Sequence, residues 1–437
     1  MALGGGTWNY QDKILPGTYV NFTNPNMVSS GLSKRGTVAV PVSLNWGDEG
    51  EIIELNSDTI ERDCLSKLAY EYNAPEMLCI RELFRNAKKV YLYRLGGNGA
   101  KAENIYARAK YSGTRGNALK ISINQSLDKE GFFVVRTYLD NRLVDTQEVS
   151  SSEGLKPNDY VEFVSGTSLA QTTALSLEGG TDGEEVSGLD YFNFLEKIEK
   201  FVFDILCCSS DDSQTIDLFK AYTLRMNEET GANFQLVCYR AENADNENII
   251  VLDNKSRTSE KEYELVYWLS GAQASCEIGN SITGKVYDGE LLIDVNYSQS
   301  HLKEKLSQGL FVFHSVNSRI RVLRDINSFT SFTVDKGVDF SSNQTVRVCF
   351  ALANSVASLF NTKYLGLVAN DKSGRMSLWN DVCKILEDLQ SVRAITEFAT
   401  SDVVIEQGQA KSNVVCSIKK LVVAGAMEAL YMNVVLM

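Results

Sequence analysis

The sequence predicts an α/β core, built on a mixed, mostly parallel sheet with covering helices, together with an all-β inserted domain and extended arms at both chain ends. Three observations support this. Helical and strand patterns alternate on both sides of a stretch of about 75 residues that holds only short strands. Both ends carry apolar runs too short to form a core. Between them, residues 310–333 (LFVFHSVNSRIRVLRDINSFTSFT) join a buried-type strand to a strand bearing arginines.

Composition excludes several classes of function. The 437 residues are 44% hydrophobic and 23% charged, and 43 Lys and Arg stand against 56 Asp and Glu, a net charge of −13. This charge disfavours binding to nucleic acid or to an anionic membrane. The first residues predict no secretory signal, and no window of 18 apolar residues predicts a membrane span. Nine cysteines without a CxxC pair indicate thiols kept in a reducing cytoplasm.

The chain begins with a predicted arm, residues 1–21, which is Gly-rich and then aromatic. Because it is short and isolated, it is expected to dock on another body. Residues 22–97 are predicted as the first part of the α/β core. They hold a strand at 36–46, two helices that begin near Asp58 and Pro75, and a strand from Val90 to Leu95.

Residues 98–177 are predicted as the β insertion domain. Gly96-Gly97-Asn98-Gly99 precedes it, and short alternating runs at 119–123, 134–139, 142–149 and 160–164 follow. Asp140-Asn141 suits a tight hairpin turn between two of these runs.

Residues 178–335 are predicted as the main α/β core, since helix and strand patterns alternate along them. Strands are predicted at 201–208, 234–239, 249–252, 291–295, 310–313 and 320–326, with helices at 189–198, 216–226 and 263–270. Residues 336–411 are predicted as a helical C-terminal part, with helices at 346–360 and 376–389. Residues 412–437 are predicted as a C-terminal arm with strands at 414–423 and 430–436.

No convincing active site is present, and we expect no catalytic residue, no metal ligand and no cofactor. Gly279 to Lys285 spells GxxxxGK, but Val286 stands where a phosphate-binding loop needs Ser or Thr for Mg²⁺. With two histidines and no GxSxG, a Ser–His–acid hydrolase using Ser281 is a weak alternative. A nucleotide-dependent assembly protein using residues 279–285 is the other alternative.

Several phrases carry a resemblance to a known family. They are GTWNYQDKILPGTYVNF, VPVSLNWGDEGEIIEL, YSGTRGN, LEGGTDG, WLSGAQASCEIGNSITGKVYDG, RVLRDINSFTSF and AMEALYMNVVLM, in this order along nearly the whole chain. The chain resembles the tail sheath proteins of Gram-positive-type contractile phages and R-type bacteriocins, diffocin-like particles among them. One departure is Ser328-Phe329, where the family usually shows Thr-Leu.

The resemblance implies a structural subunit that polymerises helically around an inner tail tube and contracts by rigid-body rotation to drive the tube through a bacterial envelope. It implies itself, the tube protein, and baseplate and terminator or collar proteins as partners. It also implies synthesis in the bacterial cytoplasm and release by lysis as part of a phage tail or bacteriocin particle. Residues expected to make inter-subunit arm contacts are Trp8, Tyr10, Ile14, Tyr19, Leu421, Val422, Val423, Tyr431, Val434 and Val435.

Two further sets of residues complete the prediction. Flexible joints of the arms are expected at Gly4, Gly5, Gly6 and Gly425, where glycine permits large backbone changes. The polar side of the helix predicted at 376–389 is a candidate tube-facing surface, although an ordinary solvated face is the simpler interpretation. Its residues are Asp381, Lys384, Glu387 and Asp388.

Overall fold

The computed structural model describes residues 35–258 and 261–435, and these fall into two compact units. The smaller unit comprises residues 39–81 and 88–199. The larger unit comprises residues 35–38, 82–87 and 200–435 of the described chain. This division differs from the six predicted segments, which stay a prediction.

The smaller unit is mainly β-structure. Its elements, with the two that run across the division of the chain, are β1 (Thr37–Ser43), β2 (Ile52–Asn56), α1 (Ile60–Leu68), α2 (Leu78–Phe84), β3 (Lys89–Leu95), β4 (Ala107–Ala109), β5 (Leu119–Gln125), β6 (Phe133–Leu139), β7 (Arg142–Val149), β8 (Val161–Phe163), β9 (Thr172–Ser176) and α3 (Gly188–Ile198).

The predicted β insertion is confirmed as two antiparallel sheets. One has the strand order β7-β6-β5-β9 and the other pairs β4 with β8. Leu139 pairs with Arg142 across the turn predicted at Asp140-Asn141, where Asp140 has a positive φ of 55°. β4 and β9 escaped prediction because the former is three residues long and the latter is polar on both faces. Apolar side chains from these strands surround the buried Trp46.

The larger unit contains the parallel part of the sheet. Its strands are β10 (Ile205–Cys207), β11 (Gln235–Tyr239), β12 (Ile249–Leu252) and β13 (Leu310–Phe311), in the order β13-β12-β11-β10 and all parallel. Its first helices are α4 (Ser213–Arg225), α5 (Leu265–Ser275) and α6 (Gln299–Ser307). β10, β11 and β12 are buried along their whole length, as a sheet covered on both faces requires. The mixed α/β fold class is therefore confirmed.

The rest of the larger unit follows the sheet. It comprises the hairpin β14 (Phe313–Val316) and β15 (Arg319–Val322), α7 (Asn343–Leu359), α8 (Lys372–Ser391), β16 (Ile395–Thr396), β17 (Val403–Gln407), β18 (Val414–Ile418) and β19 (Val422–Val423). Asn317 and Ser318 both adopt positive φ, 49° and 61°, which closes β14 onto β15 in the tight turn that a two-residue hairpin needs. α7 and α8 enclose a separate apolar core with the strands that follow them.

Three sequence predictions differ from this structure. Residues 291–295 form no strand, because only Ile293 pairs across to another segment, in a single bridge to Ser256, although Leu291 and Ile293 are buried and Leu292 is exposed as in a strand. The predicted strand at 414–423 is two strands, β18 and β19, separated by Lys419 and Lys420. Residues 430–435 form no strand in the described chain, since an extended apolar run needs a neighbouring strand to satisfy its backbone.

Candidate assembly surfaces

A buried polar cluster organises the larger unit beneath its surfaces. Asp325 is 2% exposed, and its carboxylate accepts hydrogen bonds from Arg347 Nη2 (2.8 Å), Gln273 Nε2 (2.7 Å) and Asn343 Nδ2 (2.9 Å). Burial alone would raise the pKa of Asp325, but the charge of Arg347 and these hydrogen bonds outweigh it and lower the pKa. The aspartate of the RVLRDINSFTSF phrase is therefore an internal structural residue.

The tail, defined here as residues 424–435, leaves this unit after β19. β19 itself pairs with β16, with Val423 opposite Ile395 and Val422 opposite Thr396. Leu421 and Val423 pack against the core enclosed by α7 and α8. Within a single chain, residues 421–423 therefore have partners in their own unit, and their contact with other subunits stays a prediction.

The second half of the tail is apolar and exposed. Leu430 is 88% exposed and Tyr431 is 94% exposed, and the side chains of Met432, Val434 and Val435 are exposed as well. No backbone hydrogen bond joins residues 429–435 to any other part of the described chain. Five large apolar side chains in six residues, outside any core, are typical of a segment that is buried in an assembly.

The hairpin β17–β18 offers unpaired sheet edges. It forms a two-stranded sheet within the described residues, with Ile405 opposite Cys416. Lys419 N–H donates to the Asp402 carbonyl, and Gly408 N–H donates to the Asn413 carbonyl, both at 2.8 Å. Because bonded and non-bonded pairs alternate in an antiparallel ladder, these two bonds fix which backbone groups face outward. The backbone N–H and C=O groups that face away from the hairpin belong to Val403, Ile405, Gln407, Val414, Cys416 and Ile418.

The two edges of this hairpin are not equivalent. On the β17 edge, the Val403 carbonyl already accepts a hydrogen bond from Trp379 Nε1 at 3.0 Å. On the β18 edge, the N–H and C=O groups of Val414, Cys416 and Ile418 have no partner among residues 35–258 and 261–435. An edge of this kind can accept a further strand.

The remaining predicted residues are distributed as follows. Trp8, Tyr10, Ile14, Tyr19, Gly4, Gly5 and Gly6 lie outside the described residues. Gly425 lies between two residues whose backbones bond to the body: Ala424 N–H donates to the Ala394 carbonyl (3.0 Å), and Ala426 N–H donates to Gln344 Oε1 (3.1 Å). A joint at Gly425 stays a prediction, and the single chain holds the backbone on both sides of it.

The polar face of α8 is in part engaged within its own unit. The Asp381 carboxylate accepts hydrogen bonds from Lys363 Nζ and the Tyr364 hydroxyl. Lys384 and Glu387 are exposed, and Asp388 is half-buried. Contact of these residues with a tube stays a prediction.

The phosphate-loop-like segment, residues 279–285, has most of its amides occupied. Ile282 N–H donates to the Asp325 carboxylate (3.2 Å), and Gly284 N–H donates to the Val322 carbonyl (2.9 Å). A phosphate-binding loop needs these amides free to face the anion. Here a buried carboxylate stands at that position, and Lys285 lies over the ring of Trp268, with 6.0 Å between its Nζ and the ring centroid. The segment is thus a structural turn that closes over the polar cluster.

The described chain contains neither a metal-binding cluster nor a membrane-spanning helix. Among residues 35–258 and 261–435, no group of three or more His, Cys, Asp or Glu side chains could hold a metal ion. No helix in the same residues is long and apolar enough to cross a membrane.

The residues that hold the start of the tail were not predicted from the sequence. They are Gln344, Arg324 and Thr283, which contact Ala424, Ala426 and Glu428. Single polar residues scattered over a helix, a strand end and a loop give no periodic signal. The AMEALYMNVVLM phrase does contain Glu428, but nothing in it indicates a partner 104 positions away.

Comparison with known proteins places the whole described chain in one family. Family models match it in four consecutive parts: the tail sheath protein Gp18 domain III N-terminal region at residues 35–95, the phage tail sheath protein beta-sandwich domain at 86–182, the phage tail sheath protein central domain at 184–328, and the phage tail sheath C-terminal domain at 335–437.

Individual relatives agree with these matches. Protein XkdK of the phage-like element PBSX from Bacillus subtilis (strain 168) is 30% identical over 434 residues, which cover 91% of this chain and 90% of XkdK. The sheath tail protein of Desulfitobacterium hafniense superimposes with a TM-score of 0.80 at 28% identity, covering 96% of this chain and 99% of that one. The helical sheath of the anti-feeding prophage in its contracted state shares the fold (TM-score 0.54, 12% identity, covering 97% and 98%). The chain belongs to the phage tail sheath family and is a structural subunit of a contractile tail sheath.

Proposed function

We propose that copies of this chain polymerise head-to-tail into a helical sleeve around an inner tube by exchanging terminal strands. The observation that carries this proposal is that one molecule contains both an exposed segment that could be donated as a strand and a free sheet edge that could accept one. The donor is the exposed apolar segment 429–435, and the acceptor is the outward edge of β18. Since the two surfaces differ, each copy offers one and receives the other, which generates an open helix.

Strand addition explains both features through ordinary sheet chemistry. A strand from a neighbouring copy would satisfy the backbone groups of Val414, Cys416 and Ile418. Its alternate side chains would face the same side as Val403, Ile405 and Ile418, which pack on the core enclosed by α7 and α8. The N-terminal arm, residues 1–21, is the second donor.

Contraction would then be a rotation of rigid subunit bodies between two packings, with the exchanged strands remaining paired. No nucleotide is required, which agrees with the occupied amides of residues 279–285. The partners are further copies, the inner tube protein, and baseplate and terminator proteins at the ends. The subunit is made in the bacterial cytoplasm and leaves by lysis within a phage tail or bacteriocin particle; membership of the diffocin-like group stays a prediction.

Proline at Cys416 tests the acceptor edge. The N–H of Cys416 points away from the hairpin, so Cys416→Pro removes a donor from the free edge and leaves the bonds between β17 and β18 in place. We expect tubules, seen by negative-stain microscopy, to disappear while the circular dichroism spectrum stays unchanged. Cys416→Ser keeps the N–H and serves as the matched control. Normal tubules from Cys416→Pro would refute the acceptor.

Deletion of residues 1–20 tests the second donor. We expect this truncation to leave a folded monomer that forms no tubules. Intact tubules from the truncated chain would contradict strand exchange by the N-terminal arm, whatever the result at Cys416.

A further inference from the structure

The tail root, defined as residues 424–428, is held to the body of its own chain by side chains. The first is Gln344, which is 3% exposed and lies in the first turn of α7. Its Nε2 donates to the Ala424 carbonyl (2.7 Å), and its Oε1 accepts from Ala426 N–H (3.1 Å). One amide side chain thus bonds the tail backbone at two positions, as a partner strand would.

The second attachment is at Glu428, two residues further along. Its Oε2 accepts from Arg324 Nε (2.7 Å), and its Oε1 accepts from the Thr283 hydroxyl (3.1 Å). The side chains of Arg324 and Glu428 are 49% and 31% exposed, so the ion pair is open to solvent and to screening by salt.

Two of the three holding side chains, those of Gln344 and Thr283, are also bonded to the body. Gln344 Nε2 also donates to the Gly279 carbonyl at 2.6 Å, and the Thr283 hydroxyl accepts from Asp325 N–H at 2.9 Å. Fixed donors of this kind lose little conformational freedom when they bind a ligand.

We propose that Gln344, Arg324 and Thr283 form an intramolecular binding site, the tail clamp, whose ligand is residues 424–428. The clamp places the point of flexibility after Glu428 instead of at Gly425, and it sets the position and direction in which residues 429–435 leave the body. This inference rests on the proposed strand exchange for its purpose, but the clamp itself is a property of the single chain.

The clamp has a calculable effect on assembly. Releasing the root would lengthen the free segment from residues 429–435 to residues 424–435. Effective concentration at the acceptor falls roughly as the −3/2 power of the length of a flexible tether, so it would drop by about twofold, and the fixed direction would be lost as well. Assembly should therefore slow in clamp variants without being abolished.

Hydrogen–deuterium exchange on the unassembled fraction of the full-length chain tests the clamp directly. Peptides covering residues 421–429 report the amide of Ala426, which Gln344 holds, together with that of Ala424, which bonds to the Ala394 carbonyl. We expect Glu428→Gln to speed exchange of the Ala426 amide by about two- to fivefold, because it weakens a charge-assisted bond at a partly exposed site. We expect Gln344→Ala to speed it by about tenfold or more, because the acceptor of Ala426 N–H is removed.

Arg319→Gln is the matched control. Arg319 lies on β15, five residues before Arg324 in the chain, and is exposed, and no ion pair joins it to a carboxylate in the described residues. Its variant should exchange as the parent does. Glu428→Gln changes a surface residue and so avoids the risk that Gln344→Ala disturbs α7. Exchange in Glu428→Gln equal to that of the parent would overturn the clamp.

The clamp and the strand exchange can fail separately. If Glu428→Gln exchanges like the parent while Cys416→Pro still blocks tubules, the clamp is refuted and strand exchange stands. If Cys416→Pro and the 1–20 truncation both form tubules, strand exchange is refuted. The exchange data, which need no assembly, then still decide whether the clamp exists.

Discussion

Replacing Asp325 by asparagine should destabilise the larger unit more than any surface change, although the two side chains have the same shape. Both partners of the Asp325–Arg347 pair have side chains that are 1% exposed, with 2.8 Å between the bonded oxygen and Nη2. In Asp325→Asn, the Arg347 guanidinium stays buried without its counter-charge. Arg35, which pairs with Asp204 at 3.2 Å, adds a second cation to the same region.

The expected cost follows from leaving a buried charge unpaired, which is typically about 3–5 kcal/mol. Because a chain of this size need not unfold in one step, local exchange is a better measure than a melting curve. Since about 1.4 kcal/mol corresponds to a factor of ten, amides of α7 should exchange about 100-fold faster or more in Asp325→Asn. Asp335→Asn, in an exposed loop, is the control. Exchange of α7 within about threefold of the parent would refute the reasoning.

The same pair predicts a direction for the effect of pH. The pKa of Asp325 is lower in the folded protein than in the unfolded chain, where the pKa of an aspartate is about 3.9. The folded state therefore binds fewer protons, and the stabilisation is complete above that value and is lost as the pH falls through the folded pKa. The difference in stability between the parent and Asp325→Asn should be constant at neutral pH and should become smaller only in strong acid.

Two further predictions concern the surfaces. Val434→Asp should raise the critical concentration for tubule formation, measured by pelleting, by tenfold or more, because burying Val434 contributes about 1.5–3 kcal/mol that an aspartate cannot supply. Lys384→Ala should assemble nearly as the parent does. Equal impairment of assembly by the two substitutions would contradict the assignment of residues 429–435 as the donated strand. ATP and GTP should show no binding by titration calorimetry to the parent or to Lys285→Ala, because most amides of residues 279–285 are occupied. Saturable binding that is lost in Lys285→Ala would contradict this.

Long periodic segments were predictable from the sequence, and short or polar ones were not. α7, α8 and the buried strands β11 and β12 carry patterns that only one kind of element satisfies. β4 and β16 are too short to show a period, and α6 is too polar to show an apolar face. The dipeptides Asp140-Asn141 and Asn317-Ser318, which are typical of turns, lie at the turns of their hairpins.

The assembly surfaces were predictable only in part, for a physical reason. Exposed apolar residues at 430–435 could be recognised because such a run has no place in a core of its own. It could not be predicted which residues of 412–437 pair within their own subunit, because Val422-Val423 and Val434-Val435 are alike in composition. The difference lies in the partner that tertiary folding brings to β19, namely β16, and sequence pattern does not encode that pairing.

The tail and the buried cluster are mechanically connected through two pairs of nearby residues. Arg324 holds Glu428 of the tail, and the next residue, Asp325, holds Arg347 inside the core. On α7, Gln344 holds the tail backbone, and Arg347, one helical turn later, closes the same ion pair. A pull on residues 429–435 is therefore resisted at two points, and each point is joined by one or three residues to the Asp325–Arg347 pair. In a sheath whose subunits rotate while their strands remain paired, this arrangement would pass the load from a donated strand into the rigid body instead of into a flexible joint.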